Sequence, residues 1–229
     1  MKRLNLKTTT VWLTLGLCSA SVCLPNISMA ELPASDSSKV SPETATPEAR
    51  AAAAIQFGKS KSVSSVSQLS TWLADDNTLV RQSAAWALTQ LGDAAEPAIP
   101  QLSQALSDRD ARVRWAAATT LGNLGSKVED AEEALIRTVH DRDADVQCAA
   151  IMALRTVEIT DEQAVLSALR DCLASDSADV QSEALATLTH IVPRCSESTK
   201  NDLVPRLTKA LTTNNDEVRL ATVVLLGDV

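Results

Sequence analysis

The sequence predicts an all-α fold, an α-solenoid of about five stacked helical pairs, and three observations predict it. One segment recurs at residues 80–92, 113–125, 146–158, 180–192 and 218–229, with starts 33, 33, 34 and 38 residues apart. Within each copy the apolar residues keep helical spacing, as in Val80, Ala84, Leu88 and Leu91, or Val113, Ala117, Leu121 and Leu124. Before each copy a second apolar series ends seven residues upstream: Val66, Leu69, Leu73; Ile99, Leu102, Leu106; Leu135, Val139; Leu166, Leu169, Leu173; Val204, Leu207, Leu211. These are A helices followed by B helices. A unit of this length cannot bury its apolar face alone and must stack on its neighbours.

Composition agrees with a folded chain: 229 residues, 45% hydrophobic and 22% charged. Four Trp, one Phe and no Tyr leave little with which to stack bases.

Residues 1–30 read as an export signal. Lys2, Arg3 and Lys7 precede a mostly apolar run over 11–24, and Ser28-Met29-Ala30 places small residues where a signal peptidase cuts. The run is too short, and too rich in Thr, Ser and Cys, for a membrane span of roughly 20 apolar residues. An uncleaved anchor is the alternative; Leu17 and Val22 are the wrong residues before a lipidated Cys18 or Cys23. The predicted location is periplasmic or secreted. Residues 1–30 hold three of the 21 basic residues and none of the 29 acidic ones, so the mature chain carries 18 against 29, a net −11. Such a surface repels phosphate backbones, and nucleic acid is excluded as a partner.

Residues 31–64 are rich in Ser, Pro, Ala and Thr and read as a flexible linker, interrupted by a short helix at 46–57. Thr46 serves there as N-cap, Pro47 as first helical residue and Gly58 as the stop, a half-repeat capping the array. The array occupies 65–229. Its A-to-B turns are acidic, as in Ser107-Asp108-Arg109-Asp110 and His140-Asp141-Arg142-Asp143, and their Asp side chains suit the free amides of the next helix. An Ala column at 84, 117, 150 and 184 permits close helix packing.

In the first two units an Asp stands five residues before a Val-Arg pair, Asp75 before Val80-Arg81 and Asp108 before Val113-Arg114, and Pro100 and Pro205 fall inside A helices. From 66 to 229 this pattern resembles HEAT repeats, including those of phycobilisome-lyase-like proteins. Later units depart from it: Asp141 faces Gln147, Ser175 faces Gln181 and Thr213 faces Arg219. The Asp-to-Arg ladder is therefore expected to break in the second half.

Chemistry finds little support. His140 and His190, the only histidines, fall at opposite edges of the solenoid; a His190/Cys195 nucleophile would lack an orienting acid and an oxyanion site. No Gly-rich phosphate loop or paired metal motif occurs, and Asp108, Asp110, Asp141 and Asp143 suit capping better than calcium. No cofactor, metal or catalytic residue is expected. Three cysteines follow the signal, Cys148, Cys172 and Cys195, and a Cys172–Cys195 bridge is one arrangement of them.

The B helices carry the functional signal. Opposite the core stripe Val80, Ala84, Leu88 and Leu91 lie positions 82, 86 and 89 and their equivalents, which put Trp86, Trp115 and Met152 in an outward line, with Cys148 also on it. An apolar stripe where polar residues were free to sit suits protein binding, with Arg81 and Arg114 at its flank. The competing expectation buries both indoles between adjacent B helices. The HEAT resemblance implies that this side is the concave, partner-binding one. The helix at 218–229 lacks a polar face, which implies a longer array or cover from another subunit, self-association included. The expected function is an exported protein–protein interaction scaffold binding another protein. The alternatives are a bilin-lyase-like HEAT enzyme or enzyme subunit, and a structural spacer that binds nothing.

Overall fold

The computed structural model describes residues 45–125, 128, 131–195, 207–208 and 216–227. The signal segment at 1–30, the linker as far as 44, and Val204, Pro205, Leu211 and Thr213 lie outside the described residues.

Among the described residues all regular structure is helical. Helix α1 spans Pro47–Lys59. Four hairpins follow: α2 (Val66–Trp72) with α3 (Thr78–Leu91), α4 (Ile99–Ala105) with α5 (Ala111–Leu124), α6 (Glu132–Thr138) with α7 (Ala144–Leu154), and α8 (Glu162–Cys172) with α9 (Ala178–Ile191). Leu207 and Thr208 are helical, and α10 spans Asp216–Gly227. Both periodicities in the sequence thus become helices within a few residues of their predicted ends.

Each turn is built from short side chains. Asn77, Asp110, Asp143 and Ser177 cap α3, α5, α7 and α9, their side-chain oxygens accepting from amides such as Leu79 N and Arg112 N. Gly92 and Gly125 close α3 and α5 at φ 57° and 60°, where a side chain would strain the backbone. Pro100 does not bend α4; it lies in its first turn, behind a 3-10 stretch at Gly92–Ala98, where its missing N–H costs no helical hydrogen bond.

The helices form two layers. In one, α1, α3, α5, α7, α9 and α10 stack in chain order, so α1 occupies the place of a B helix ahead of the first hairpin. The A layer is looser, with α2 touching α4 and α6 touching α8. Gly58 is buried within α1 and does not end it; the cap is Ser60. A Cβ on Gly58 would lie 2.9 Å from Ala87 Cα, and one on Gly122 the same distance from Ala153 Cα, so glycine sets the B-layer spacing at two junctions. Between them, Thr89 and Thr120 hydroxyls meet at 2.8 Å at the equivalent place. The B helices thus approach one another closely, whereas the A helices touch lightly. The core between layers includes Val80, Leu88, Leu102, Leu121, Leu135, Ile151, Leu169 and Leu188, all fully buried. At the N-terminal end Phe57 of α1 stacks on buried Trp72 of α2, ring centroids 6.1 Å apart.

Candidate functional site

Trp86 on α3, Trp115 on α5 and Met152 on α7 are all half-buried. Neither sequence expectation for the indoles holds in full. Both pack against the core while keeping part of the ring in solvent, and the six-membered ring of Trp86 rests over Gly58, its Cζ3 2.8 Å from where a Cβ there would sit. The outward line is also narrower than periodicity implied. Cys148 is 4% exposed, and Gly122 presses on Ala153, because B-helix stacking takes part of the face that 100° per residue assigns to solvent. What remains accessible is a largely uncharged row, with Gln82 and Trp86, then Trp115 and Thr119, then Met152 beside half-exposed Arg155, and farther on exposed Ser182 and Thr189.

Arg81 and Arg114 do not flank this row as free cations. Each is 4% exposed and committed to the next repeat. Arg81 Nε donates to Asp108 at 2.8 Å, and Arg114 Nε and Nη2 donate to both Asp141 oxygens at 2.7 Å. Arg81 Nη1 also donates to the carbonyl of Asp75, and Arg114 Nη1 to that of Asp108, at 2.9 and 2.8 Å. Each Asp accepts in turn from an amide two residues on, Asp110 N to Asp108 at 2.8 Å and Asp143 N to Asp141 at 2.9 Å. One carboxylate thus pins its own turn and the preceding B helix together.

Pairing therefore runs between units and not within them, which revises the ladder read from sequence. The first rung is Arg50 of α1, donating to Asp75 at 2.9 and 3.0 Å. Sequence reasoning missed Arg50, although Ala49-Arg50 sits 31 residues before Val80-Arg81 and would have supplied Asp75 with its partner. Asp141, which appeared to face only Gln147, is satisfied by Arg114. Burial alone would raise the Asp141 carboxyl; the hydrogen bonds from Arg114 and from Asp143 N, with the charges of Arg114 and Arg142, hold it below its ordinary value. Its partner Arg114 is raised by the same hydrogen bond.

The ladder does stop in the second half, but Asp141, which the sequence reading left without an Arg, is its last member. Gln147 and Ser175 replace Arg and Asp at the next junction, and Gln181 keeps the bond within its own turn, donating to Ser175 O at 2.6 Å. Other contacts serve there: Arg155 pairs with Glu183 at 3.1 Å, and buried Glu132 accepts from the amides of Thr160 and Asp161 and from the Thr160 hydroxyl.

His140 and His190 are exposed, whereas Cys195 is buried. Cys172 and Cys195 are not joined; no disulfide links the three described cysteines, all of them buried. Burial, with a smaller contribution from Asp171, pushes the Cys172 thiol up to about 11, which leaves little thiolate at neutral pH. Asp110 and Asp143 are helix caps and Asp108 and Asp141 ion-pair partners. Among the described residues no group of His, Cys, Asp and Glu is arranged to hold a metal, and no helix is long and apolar enough to cross a membrane.

Among solved structures, an engineered protein superimposes with a TM-score of 0.61 at 23% identity, over 82% of this chain and 92% of its own. A computationally designed armadillo repeat protein for modular peptide recognition gives 0.65 at 18% identity, over 79% and 93%. Another designed armadillo repeat protein, in complex with the peptide (KR)4, gives 0.60 at 21%, over 80% and 90%. At these identities the likeness shows a shared armadillo-like solenoid fold. No curated protein is similar in sequence. The family model described as HEAT repeats matches residues 42–105 and 99–189, so α1 falls within the match, and the chain belongs to the HEAT repeat family.

Proposed function

We propose that the chain is an exported protein–protein interaction scaffold that holds a protein partner on the concave side of its B helices. One observation carries the reading: Trp86, Trp115 and Met152 keep half-exposed surface on consecutive B helices while every other large apolar residue of α3, α5 and α7 except Leu79 is buried. Large amphipathic side chains of this kind anchor interfaces, because they bury much area at little entropic cost. Arg81 and Arg114 support the face from beneath and make no contact with the partner. The peptide recognition for which a structural neighbour was designed is consistent with a solenoid surface used in this way. Export rests on residues 1–30, and the periplasmic or secreted location rests on export. The function needs no catalytic chemistry and no cofactor.

Affinity capture with the tagged chain tests this, run beside the Trp86→Ala, Trp115→Ala double variant. A partner retained by the parent and lost by a variant of unchanged helicity supports the face; equal retention by both excludes it. N-terminal sequencing of exported protein should begin at Glu31, and an intact Met1 there would remove the cleaved signal.

A further inference from the structure

Trp86 and Trp115 bring more than apolar surface to the B-helix row. Neither indole N–H has a hydrogen-bond partner among the described residues, and neither is buried, since Ser83 Oγ is the one buried side-chain polar atom there without a partner. The Gln82 amide, one turn from Trp86, and the Thr119 hydroxyl, one turn from Trp115, are also without partners among the described residues. Hydrogen-bond donors therefore stand open beside two flat apolar rings.

Neither α3 nor α5 contains a carboxylate, although the chain holds 29 Asp and Glu against 21 Lys and Arg. Of their three arginines, Arg81 and Arg114 are committed to Asp108 and Asp141, which leaves Arg112 in the first turn of α5 as the one exposed charge. A basic segment would find no counter-charge on these helices. An ordinary extended segment would bring backbone N–H groups, from which an indole cannot accept.

Spacing narrows the choice further. Thr89 of α3 meets Thr120 of α5, 31 residues on, so Trp86 is level with Ala117, and Trp115 lies two residues nearer the start of α5, about 3 Å along the axis. With packed helices about 8 to 10 Å apart, the two tryptophans stand roughly 9 to 10 Å from each other. A polyproline II helix presents the same face every third residue, after about 9 Å, whereas a β-strand does so after about 7 or 13 Å.

We propose that this face holds a proline-rich segment of the partner protein in the polyproline II conformation, laid across α3 and α5 with residues i and i+3 on Trp86 and Trp115. Its carbonyls accept from the two indoles and from Gln82, and its prolines bring no N–H to be satisfied. Such a segment is ordered before it binds, so it loses little conformational entropy. The inference rests on the binding face proposed above and names what that face takes.

Fluorescence anisotropy of labelled peptides of equal length, titrated with the full chain, provides the test. A proline-rich peptide should bind saturably, about tenfold or more tightly than a Gly-Ser peptide or an alternating Lys-Arg peptide. Trp86→Ala should weaken that binding about thirtyfold or more. Trp115→Phe keeps a ring and loses the donor, and should weaken it about threefold to tenfold at unchanged helicity. No saturable binding, a Gly-Ser or Lys-Arg peptide bound as tightly, or indifference to Trp115→Phe overturns the proposal. Affinity capture separates this from the reading beneath it. A partner that lacks a proline-rich segment, yet is lost by the Trp86→Ala, Trp115→Ala variant, overturns the proline-rich ligand and leaves the binding face standing.

Discussion

The two halves of the array solve one packing problem by different means. From α1 to α6, consecutive repeats are joined by part-buried ion pairs: Arg50 with Asp75, Arg81 with Asp108, Arg114 with Asp141. From α7 onward those positions hold Gln147 and Ser175, and the repeats are joined by a half-exposed Arg155–Glu183 pair, by apolar stacking and by Glu132 capping the start of α8. The difference teaches that a rung is a two-residue unit spread over two repeats. Where Arg is lost, the Asp of the following repeat is lost with it, because a lone buried charge costs several kcal/mol that neither Gln nor Ser incurs.

The largest effect should come from splitting a rung. Asp141→Ala leaves the Arg114 guanidinium buried without its partner and should cost about 3 to 5 kcal/mol in urea unfolding. The double variant Arg114→Gln, Asp141→Ser copies the next junction and should recover a large part of that loss. A double variant no better than the single would show that the carboxylate's hold on its own turn, through Asp143 N, matters more than the ion pair. Gly122→Val follows, at about 1 to 3 kcal/mol, because its side chain would drive into the Ala153 backbone. Asp143→Ala removes the α7 cap and should cost about 1 kcal/mol. Smallest is Gln181→Ala, which gives up the neutral hydrogen bond to Ser175 O and should cost about 1 kcal/mol.

Acid separates the halves in another way. The folded Asp141 carboxyl lies below its ordinary value, so the stability that it contributes is fully present above the unfolded carboxylate range near pH ~4 and is lost as pH falls through the folded value. Acid titration followed by amide exchange should open the α5–α6 region before it affects the α8–α9 packing. Simultaneous opening would mean that the array unfolds as one cooperative unit.

Much of this was legible in the sequence, for a physical reason. A repeat has to place apolar residues at helical spacing and polar caps at its turns wherever it occurs, so helices, turn residues and family could all be read from local pattern. Pro100 shows where local pattern misleads: helical spacing placed it inside an A helix, but only the 3-10 stretch ahead of it shows that it opens one.

What a residue faces belongs to the tertiary structure. Ladder partners lie 25 to 27 residues apart and in different repeats, so Asp75 and Asp108 looked paired with the arginines just after them until the stack brought in Arg50 and Arg81. The same stacking buried Cys148, set Trp86 over Gly58 and used Gly58 and Gly122 for close approach. A helical wheel describes one helix, and in a solenoid a B helix has its own A helix on one side and further B helices on two more. The sequence by itself determined which segments are helical and which residues cap them; the contact between one repeat and the next decided which of their side chains remain for a partner.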